Sequence, residues 1–368
     1  MSHIGEFELI GRISAATPTP EGITGIGDDC AVIPQKQGLD TLVTTDLLIE
    51  GRHFLLQDVS PHDLGWKSAA VNISDIAAMG GRPTSAFLSI ALPEGLTEGP
   101  GANWNSPSGK HCRPRLGEGG AHEVGGGATA TFSGGTVPVC SGEAGKHCRP
   151  RLGEGGAWID AFISGFNELC SRFGVSLLGG DTSASDDKLF INVTLLGECP
   201  HGQAMKRNTA RPGDIIYVSG PLGDSGAGLR LILEGAPRVD YLIRKHYLPV
   251  PRVELGLQLA ATPGIHAMMD ISDGIGSDLR HILDASGTGA TVEINRIPLS
   301  PELKDTCTAH GWDPIELATC GGEDYELLFT AAPGTAVPEG CTPIGAIEPE
   351  PGLRWSGSTR DYQGFTHF

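Results

Sequence analysis

The run Gly25-Ile26-Gly27-Asp28-Asp29-Cys30 places two adjacent carboxylates on a glycine-rich turn, and Thr44-Thr45-Asp46 ends the next β-type segment. Carboxylate and hydroxyl oxygens are the ligands that Mg²⁺ prefers in proteins. Each run taken alone is more typical of an ordinary turn or helix cap than of a metal site. The two runs together predict one wall of a metal site, with Asp29 the better ligand candidate and further ligands elsewhere in the chain.

Composition excludes several classes of partner. The chain has 368 residues and a formal net charge of −18, so it can bury a large core but offers no broad basic face to nucleic acid or an anionic membrane. Its apolar runs are too short to span a bilayer, and its first residues lack the pattern of a signal peptide. The nine cysteines are scattered without a Cys-x-x-Cys pair. Reduced thiols in a cytoplasmic protein are therefore expected.

Apolar periodicity predicts a mixed α/β protein of two domains. Helices are expected at 6–15, from Pro61 to Gly80, and at 158–173, 224–233, 252–261, 275–285 and 301–309. Strands are expected at 29–33, 41–49, 84–92, 175–178, 189–196, 215–218, 267–271, 290–294, 325–330 and 343–347. Composition changes near Pro200, so the predicted domains are residues 1–200 and 201–368.

Residues 97–157 interrupt this pattern. They are rich in glycine, and the run 109–121 recurs unchanged at 145–157. Too few apolar residues are present to offset the entropy of ordering, so a flexible loop inserted at a strand–helix junction is expected. The His-Cys pairs at 111–112 and 147–148 lack the spacing of a zinc site.

Five acidic clusters share one pattern, in which small residues precede Asp at a strand end or on a helix. They are Gly27-Asp28-Asp29, Thr44-Thr45-Asp46, Ser74-Asp75, Gly179-Gly180-Asp181 and Asp270-Ile271-Ser272-Asp273-Gly274. Asp75 is the most informative, because an unpaired carboxylate within an apolar helix would be costly. Five such clusters in one chain favour a shared site over five independent turns.

Common phosphate-binding motifs are absent, since neither a Walker A loop nor a dinucleotide fingerprint is present. Nucleotide binding would therefore depend on phosphates bridged by metal ions. Arg207 and Lys206 could clamp a phosphate or be solvated linker cations. His53 could contact a substrate or lie on the surface, and Glu323, in the run Gly321-Gly322-Glu323-Asp324, could face the site.

In this order the clusters resemble the thiamine-monophosphate kinases, a family of the PurM-like ATP-dependent superfamily. The resemblance covers the chain outside 97–157. Matching runs lie at 5–10, 25–31, 44–46, 51–54, 67, 72–80, 179–182, 211–214, 220–224, 270–274, 321–327 and 364–368. It implies a two-domain PurM-like α/β fold and a homodimer whose N-terminal domains pair their sheets, with ATP held near that interface.

The resemblance also implies the reaction and the roles of individual residues. ATP and thiamine monophosphate would give ADP and thiamine diphosphate, by direct in-line transfer without a phosphoenzyme and with several Mg²⁺ ions. The implied magnesium ligands are Asp29, Thr44, Thr45, Asp46, Asp75, Asp181, Asp270 and Asp273. ATP contacts would be Gly180, Asp181, Arg207 and Ser272, and substrate contacts would be His53, Glu323 and Phe365.

Two alternatives stay open at this point. Another PurM-like ATP-dependent synthetase is one, although the selenophosphate type would need a Cys or selenocysteine in an N-terminal glycine-rich segment, and no such motif precedes Gly25. A non-catalytic nucleotide- or metal-binding paralogue is the other. The complete acidic set argues against it, because a decayed site would have lost carboxylates.

Overall fold

The computed structural model describes residues 22, 31–34, 38–93, 96 and 155–364, and the structural statements below concern these ranges. The predicted helix at 6–15, Asp29, residues 97–154 of the predicted insert and Phe365 lie outside the described residues. The division at residue 200 stays a prediction.

A five-stranded sheet forms the first layer. Its strands are β1 (Ala31–Pro34), β2 (Leu39–Ile49), β3 (Arg82–Pro93), β4 (Ser176–Ser185) and β5 (Phe190–Pro200). They lie in the order β1-β2-β5-β3-β4, and only the β3–β4 pair is parallel. The strict alternation of buried and half-buried residues along β5 means that one face of the sheet is covered. Two helices, α1 (Pro61–Ala78) and α2 (Gly155–Phe173), cover it.

Helix α1 is buried on almost every side. The Ser60 hydroxyl caps it by accepting the Asp63 N–H at 3.0 Å, Pro61 occupies its first turn, and Gly80 follows its end with φ +67°. It packs against α2, the first sheet and α5 (Val253–Ala260) of the second half. This position explains why four of its polar residues, Lys67, Ser68, Asn72 and Ser74, are fully buried and need partners.

Glycines permit the close approach of α1 and α2. A Cβ on Gly65 would lie 1.9 Å from the carbonyl oxygen of Phe162. A Cβ on Gly165 would lie 1.9 Å from the carbonyl oxygen of His62. Because no side chain fits at either position, the two glycines set the distance between the helices.

A six-stranded sheet forms the second half. Its order is β11 (Gly352–Ser356), β8 (Gly289–Glu293), β10 (Thr342–Glu348), β6 (Ile215–Val218), β9 (Leu327–Ala331) and β7 (Ile265–Asp270), with only β11 and β8 parallel. Its other helices are α3 (Asp224–Glu234), α4 (Asp240–Tyr247), α6 (Ile275–Ser286), α7 (Pro301–His310) and α8 (Pro314–Cys320). Of the helices described, none combines the length and hydropathy needed to cross a membrane.

The α/β prediction with two sheets is confirmed, with some differences. Helix α2 begins at Gly155, so the last three residues of the predicted insert are helical, and β4 runs to Ser185 beyond the predicted end at 178. Strand β4 is glycine-rich and exists because it pairs with β3, which local propensity does not reveal. Helix α4 was missed because it is short and has no side-chain cap. Helix α8 was also missed, although the sequence marks its start: Asp313 is the N-cap and Pro314 is the first helical residue.

We expect Gly65→Ala to lower the free energy of unfolding by about 2 kcal/mol, because the added methyl meets backbone rather than a flexible side chain. Helix propensity alone would favour alanine by about 1 kcal/mol, so the sign of the effect is diagnostic. Urea denaturation measures it. Gly226→Ala is the control, since its Cβ would approach its nearest neighbour, Cα of Gly321, at a milder 3.2 Å. Equal or greater stability of Gly65→Ala would contradict the packing described.

Candidate active site

Carboxylates from four segments act electrostatically on the phenol of Tyr325. Burial raises the pKa of Tyr325 well above its usual value, and four nearby carboxylates raise it further. They come from the loop at 321–326, β2, β7 and α1, and they are Glu323, Asp46, Asp270 and Asp75. Segments far apart in the sequence therefore bring their carboxylates into one acidic region, called the cleft below, and the neutral phenol of Tyr325 can serve there as a hydrogen-bond donor.

Two hydrogen bonds made by α1 join the parts of this cleft. The Thr44 hydroxyl of β2 donates to Oδ2 of Asp75, and the Ser74 hydroxyl donates to Oδ2 of Asp270 at 2.6 Å. Thr44, Ser74 and Asp270 are buried. Since a buried carboxylate is costly without hydrogen bonds, these contacts hold the first sheet, α1 and β7 in a fixed relation.

The turn at 271–274 is supported by Asp278. The Asp278 carboxylate accepts the backbone N–H groups of Ser272 and Asp273 at 3.1 and 3.2 Å. Burial raises the pKa of Asp278 well above its ordinary value, and the neighbouring Asp273 and Asp270 add to the shift. Sequence reasoning missed this residue. Its signal was an acidic residue in the first turn of α6, directly after the Asp-Gly pair.

The loop at 321–326 contains left-handed backbone at two ordinary residues. Glu323 has φ 64° and Tyr325 has φ 50°, a conformation that costs on the order of 1–3 kcal/mol at each residue. Backbone hydrogen bonds hold it in place, from Glu323 N–H to Ser272 O at 2.7 Å and from Tyr325 N–H to Ile271 O at 2.9 Å. The strain is therefore retained by the same turn that carries the candidate ligands.

Asp324 ties this loop to the start of α3. Its carboxylate accepts the backbone N–H groups of Gly223 at 2.7 Å and Ser225 at 3.3 Å. Burial nevertheless raises the pKa of Asp324 to about 8, because the amide contacts only partly offset desolvation and the nearby Asp224 and Glu326.

Glu323 is paired within the cleft. Lys67 Nζ lies 2.8 Å and His246 Nδ1 3.2 Å from Oε2 of Glu323. Burial acts to raise the pKa of Glu323, but Lys67 and His246 outweigh it, so the net shift is downward and the carboxylate is ionised. Burial also lowers the pKa of His246 to about 3, and Lys67 adds to that shift, so this imidazole is neutral.

The predicted ligands on β2 lie on opposite faces of the first sheet. Thr44 faces α1, as its contact with Asp75 shows, and Asp46 shares that face because side chains alternate along a strand. Thr45 lies on the other face, exposed, with its hydroxyl 3.1 Å from that of Thr194. Hereafter the face covered by α1 and α2 is the inner face, and the other is the outer face.

Asp181 also lies on the outer face. The strand register aligns it across the sheet in the row Leu47, Asn192, Ser89 and Asp181. Its side chain is exposed on the edge strand β4, about 14 Å from β2 at the usual strand spacing. The structure thus separates Asp181 and Thr45 from the acidic cleft.

Three further predicted contact residues, Gly180, His53 and Arg207, lie in β4, in the turn after β2 and in the segment before β6. Gly180 has φ 148°, and a Cβ there would lie 1.7 Å from the carbonyl oxygen of Leu88, so glycine is required by packing in any case. His53 accepts the Ile49 N–H at Nδ1 at 2.9 Å in the turn after β2. Arg207 lies near Asp278, since its charge acts to lower the pKa of that carboxyl.

The chemistry of the donors suits magnesium. They are carboxylate and hydroxyl oxygens, which hard cations prefer, without the thiolates or clustered imidazoles typical of zinc. In the ranges that the structure describes, no three His, Cys, Asp or Glu side chains are grouped closely enough to hold an ion unaided. Asp29 lies outside those ranges, and Mg²⁺ commonly completes its shell with water and substrate phosphates.

Family models match most of the chain. The one described as AIR synthase related protein, N-terminal domain, matches residues 27–145 and 145–199. The one described as AIR synthase related protein, C-terminal domain, matches residues 211–337.

Curated relatives and solved structures agree with these matches. Thiamine-monophosphate kinase of Bacillus subtilis is 33% identical over 89% of this chain and 83% of its own length. That of Aquifex aeolicus is 32% identical over 100% of this chain and 99% of its own. A solved structure, "AaThiL complexed with AMPPCP and TMP", has a TM-score of 0.75 at 31% identity and covers 99% of this chain and 97% of that one. A solved structure of thiamine-monophosphate kinase from Stenotrophomonas maltophilia has a TM-score of 0.65 at 32% identity. It covers 96% of this chain and 98% of that one.

We expect Asp324 to make stability fall as pH rises. The folded protein keeps its proton up to a pH of about 8, whereas the unfolded chain loses it near the ordinary value of 3.8. Between these values the folded state binds more protons, so this group's contribution to the free energy of unfolding decreases with rising pH. Asp324→Asn removes that contribution.

The difference in unfolding free energy, wild type minus Asp324→Asn, should therefore shrink from about pH 5 to about pH 8. Urea denaturation at several pH values measures it. Asp284→Asn, at an exposed position on α6, is the control and should give a flat difference. A difference for Asp324→Asn that grows with pH would contradict the raised pKa.

Proposed function

The chain belongs to the thiamine-monophosphate kinase family, and on that premise we propose that the cleft around Tyr325 is where ATP and thiamine monophosphate are converted into ADP and thiamine diphosphate. The protein is an ATP-dependent kinase, and ATP is the phosphoryl donor. The observation that supports this location is the set of hydrogen bonds that join β2 to α1, α1 to β7, and the turn after β7 to the loop at 321–326.

Magnesium would be held in this cleft by inner-face oxygens. Its proposed ligands there are Thr44, Asp46, Asp75, Asp270 and Asp273, together with Asp29. When bound, the ions would neutralise the phosphate charges. Thr44 and Ser74 orient the carboxylates of Asp75 and Asp270 through hydrogen bonds, so the ligands are preorganised before substrate arrives.

The chain's own residues position the reactants rather than attack them. A phosphate oxygen of thiamine monophosphate is already an anionic nucleophile, so neither a strong general base nor a phosphoenzyme is needed. Arg207 and Ser272, with Gly180 and Asp181, are proposed to contact ATP. His53, Glu323 and Phe365 are proposed to contact thiamine monophosphate. Phosphoryl transfer of this kind depends mainly on alignment and charge neutralisation.

The outer face is proposed to pair with its copy in a homodimer. It exposes two large apolar side chains, Leu47 at 50% and Phe87 at 38%. Thr45 and Asp181 lie on the same face, away from the cleft. Pairing of outer faces would cover the apolar residues and place Thr45, Gly180 and Asp181 at the interface, where they could reach ATP and a further Mg²⁺. We place this dimer in the cytoplasm, with domains at 1–200 and 201–368.

Another PurM-like ATP-dependent synthetase and a non-catalytic paralogue are the competing proposals. Formation of thiamine diphosphate from ATP, thiamine monophosphate and Mg²⁺ by the purified protein separates all three. A synthetase would consume ATP only with a different acceptor, and a paralogue would bind ligands without turnover. Because the carboxylates of the described cleft are all present, turnover is the expected result.

We expect Asp75→Asn to reduce kcat by about 100-fold or more while the fold is retained, because one negative charge that faces the phosphates and their metals is lost. Steady-state kinetics with a circular dichroism melt measures both quantities. Asp284→Asn, also an Asp on a helix but exposed, should leave the rate unchanged. Near-normal turnover by Asp75→Asn would remove Asp75 from the proposed ligand set.

We expect Leu47→Glu to dissociate the dimer, because a charge would then lie opposite its own copy across an apolar interface. Sedimentation velocity measures the change. Leu233→Glu on α3 is a matched control, since Leu233 is 51% exposed but far from the outer face in the fold. A dimer that survives Leu47→Glu unchanged would show that copies pair elsewhere.

A further inference from the structure

Lys67 is a buried cation beside the proposed substrate carboxylate. It lies on α1 with 0% of its surface exposed, and its Nζ is 2.8 Å from Oε2 of Glu323. A buried ammonium is strongly unfavourable unless it is paired, so this contact is required for the lysine to stay there. Tyr247 adds a ring face 5.9 Å from the same Nζ. No part of the proposed chemistry so far uses this lysine.

His246 completes the environment of Glu323. Lys67 Nζ can only donate, and it lies 3.5 Å from His246 Nε2, so Nε2 is the acceptor and the proton is on Nδ1. The Nδ1–H hydrogen-bonds the Ser225 hydroxyl at 3.1 Å, and Nδ1 also lies 3.2 Å from Oε2 of Glu323. Lys67 thus donates a hydrogen bond to Oε2 of Glu323, and the His246 ring lies against the same oxygen.

The second oxygen of Glu323 is left for another donor. Within the part of the chain that the structure describes, no hydrogen bond reaches Oε1, and the side chain is 25% exposed. A carboxylate with one oxygen held by a buried ammonium and the other open has a defined direction for one further hydrogen bond.

The loop does not need Lys67 to keep its backbone conformation. Glu323 N–H and Tyr325 N–H already bind the turn at 271–274, and Asp324 binds the start of α3. The Lys67 contact therefore adds orientation of the side chain, which the backbone contacts do not supply.

We propose that Lys67 is a positioning residue for thiamine monophosphate, holding Oε2 of Glu323 by a hydrogen bond so that Oε1 accepts a hydrogen bond from the amino group of the aminopyrimidine. This inference rests on the proposed function. Because Lys67 neutralises Glu323, the pair presents an oriented acceptor rather than net negative charge. An N–H donor suits such a pair better than the positively charged thiazolium ring does.

The test is a double-mutant cycle of Lys67→Met and Glu323→Gln. Lys67→Met should raise the KM for thiamine monophosphate about 10- to 100-fold, the usual range for loss of a hydrogen bond to a charged group, with little change in the KM for ATP or in kcat. The double variant should match Glu323→Gln, because Lys67 acts only through that carboxylate. Calorimetric binding of thiamine monophosphate gives the same comparison without turnover.

Arg252→Met is the matched control. Arg252 donates to Glu326 at 2.7 Å, so the variant breaks another ion pair of the same segment without touching Glu323. It should lower the melting temperature but leave the KM for thiamine monophosphate nearly unchanged. A purely structural role for Lys67 would instead make Lys67→Met and Arg252→Met behave alike.

Three results would overturn the inference. They are an unchanged KM for thiamine monophosphate in Lys67→Met, an equal rise for both substrates, and a double variant that binds much more weakly than Glu323→Gln. If Lys67→Met does not fold, the last comparison still decides, since it needs only Glu323→Gln and the double variant. Absence of thiamine diphosphate formation by the wild type would refute the proposed function instead, and calorimetry would then test the binding step separately.

Oxythiamine monophosphate, which carries an oxo group in place of the amino group, tests the direction of the hydrogen bond. The wild type should bind it less tightly than thiamine monophosphate, and Lys67→Met should bind the two with similar affinity. Equal affinity of the wild type for both would overturn the assignment to the amino group.

Discussion

The burial of α1 is the constraint on which the rest of the structure depends. The helix lies between α2 and the first sheet on one side and α5 on the other, and a Cβ on Gly256 of α5 would lie 2.2 Å from the carbonyl oxygen of Ala77. Polar side chains on such a helix must find partners within the protein. Ser74 finds Asp270 and Lys67 finds Glu323, both of them in the second half of the chain. The same contacts that satisfy the helix therefore assemble the cleft.

The division of the predicted ligands between two faces follows from strand geometry. Successive side chains of a strand point to opposite faces, so the side chains of Thr44 and Asp46 lie on one face and that of Thr45 on the other. The inner-face oxygens meet α1 and β7, whereas Thr45 and Asp181 face outward beside exposed apolar residues. In a homodimer paired through the outer faces, Thr45 and Asp181 would lie at the interface. ATP binding by these residues would then depend on dimerisation.

Much of the fold was predictable because its signals are local. Pro61 after Ser60 marked the start of α1, and the β-branched run at 41–49 marked β2. Strand β4 was predicted too short because it depends on pairing with β3, and Asp278 was overlooked because its role depends on the turn it supports. The pairing of Lys67 with Glu323 joins positions far apart in sequence, and no spacing rule connects them.

The sequence by itself determined the family, the α/β class and the identity of the acidic clusters, because residue type and order are sufficient to recognise motifs and periodicity. Which clusters meet was decided by the tertiary structure alone. Chain topology placed Asp75 beside Thr44 and Ser74 beside Asp270, and it placed Asp181 on the opposite face of the sheet. A ligand set depends on distance and direction in space. Those quantities arise only when β2, α1, β7 and the loop at 321–326 pack together.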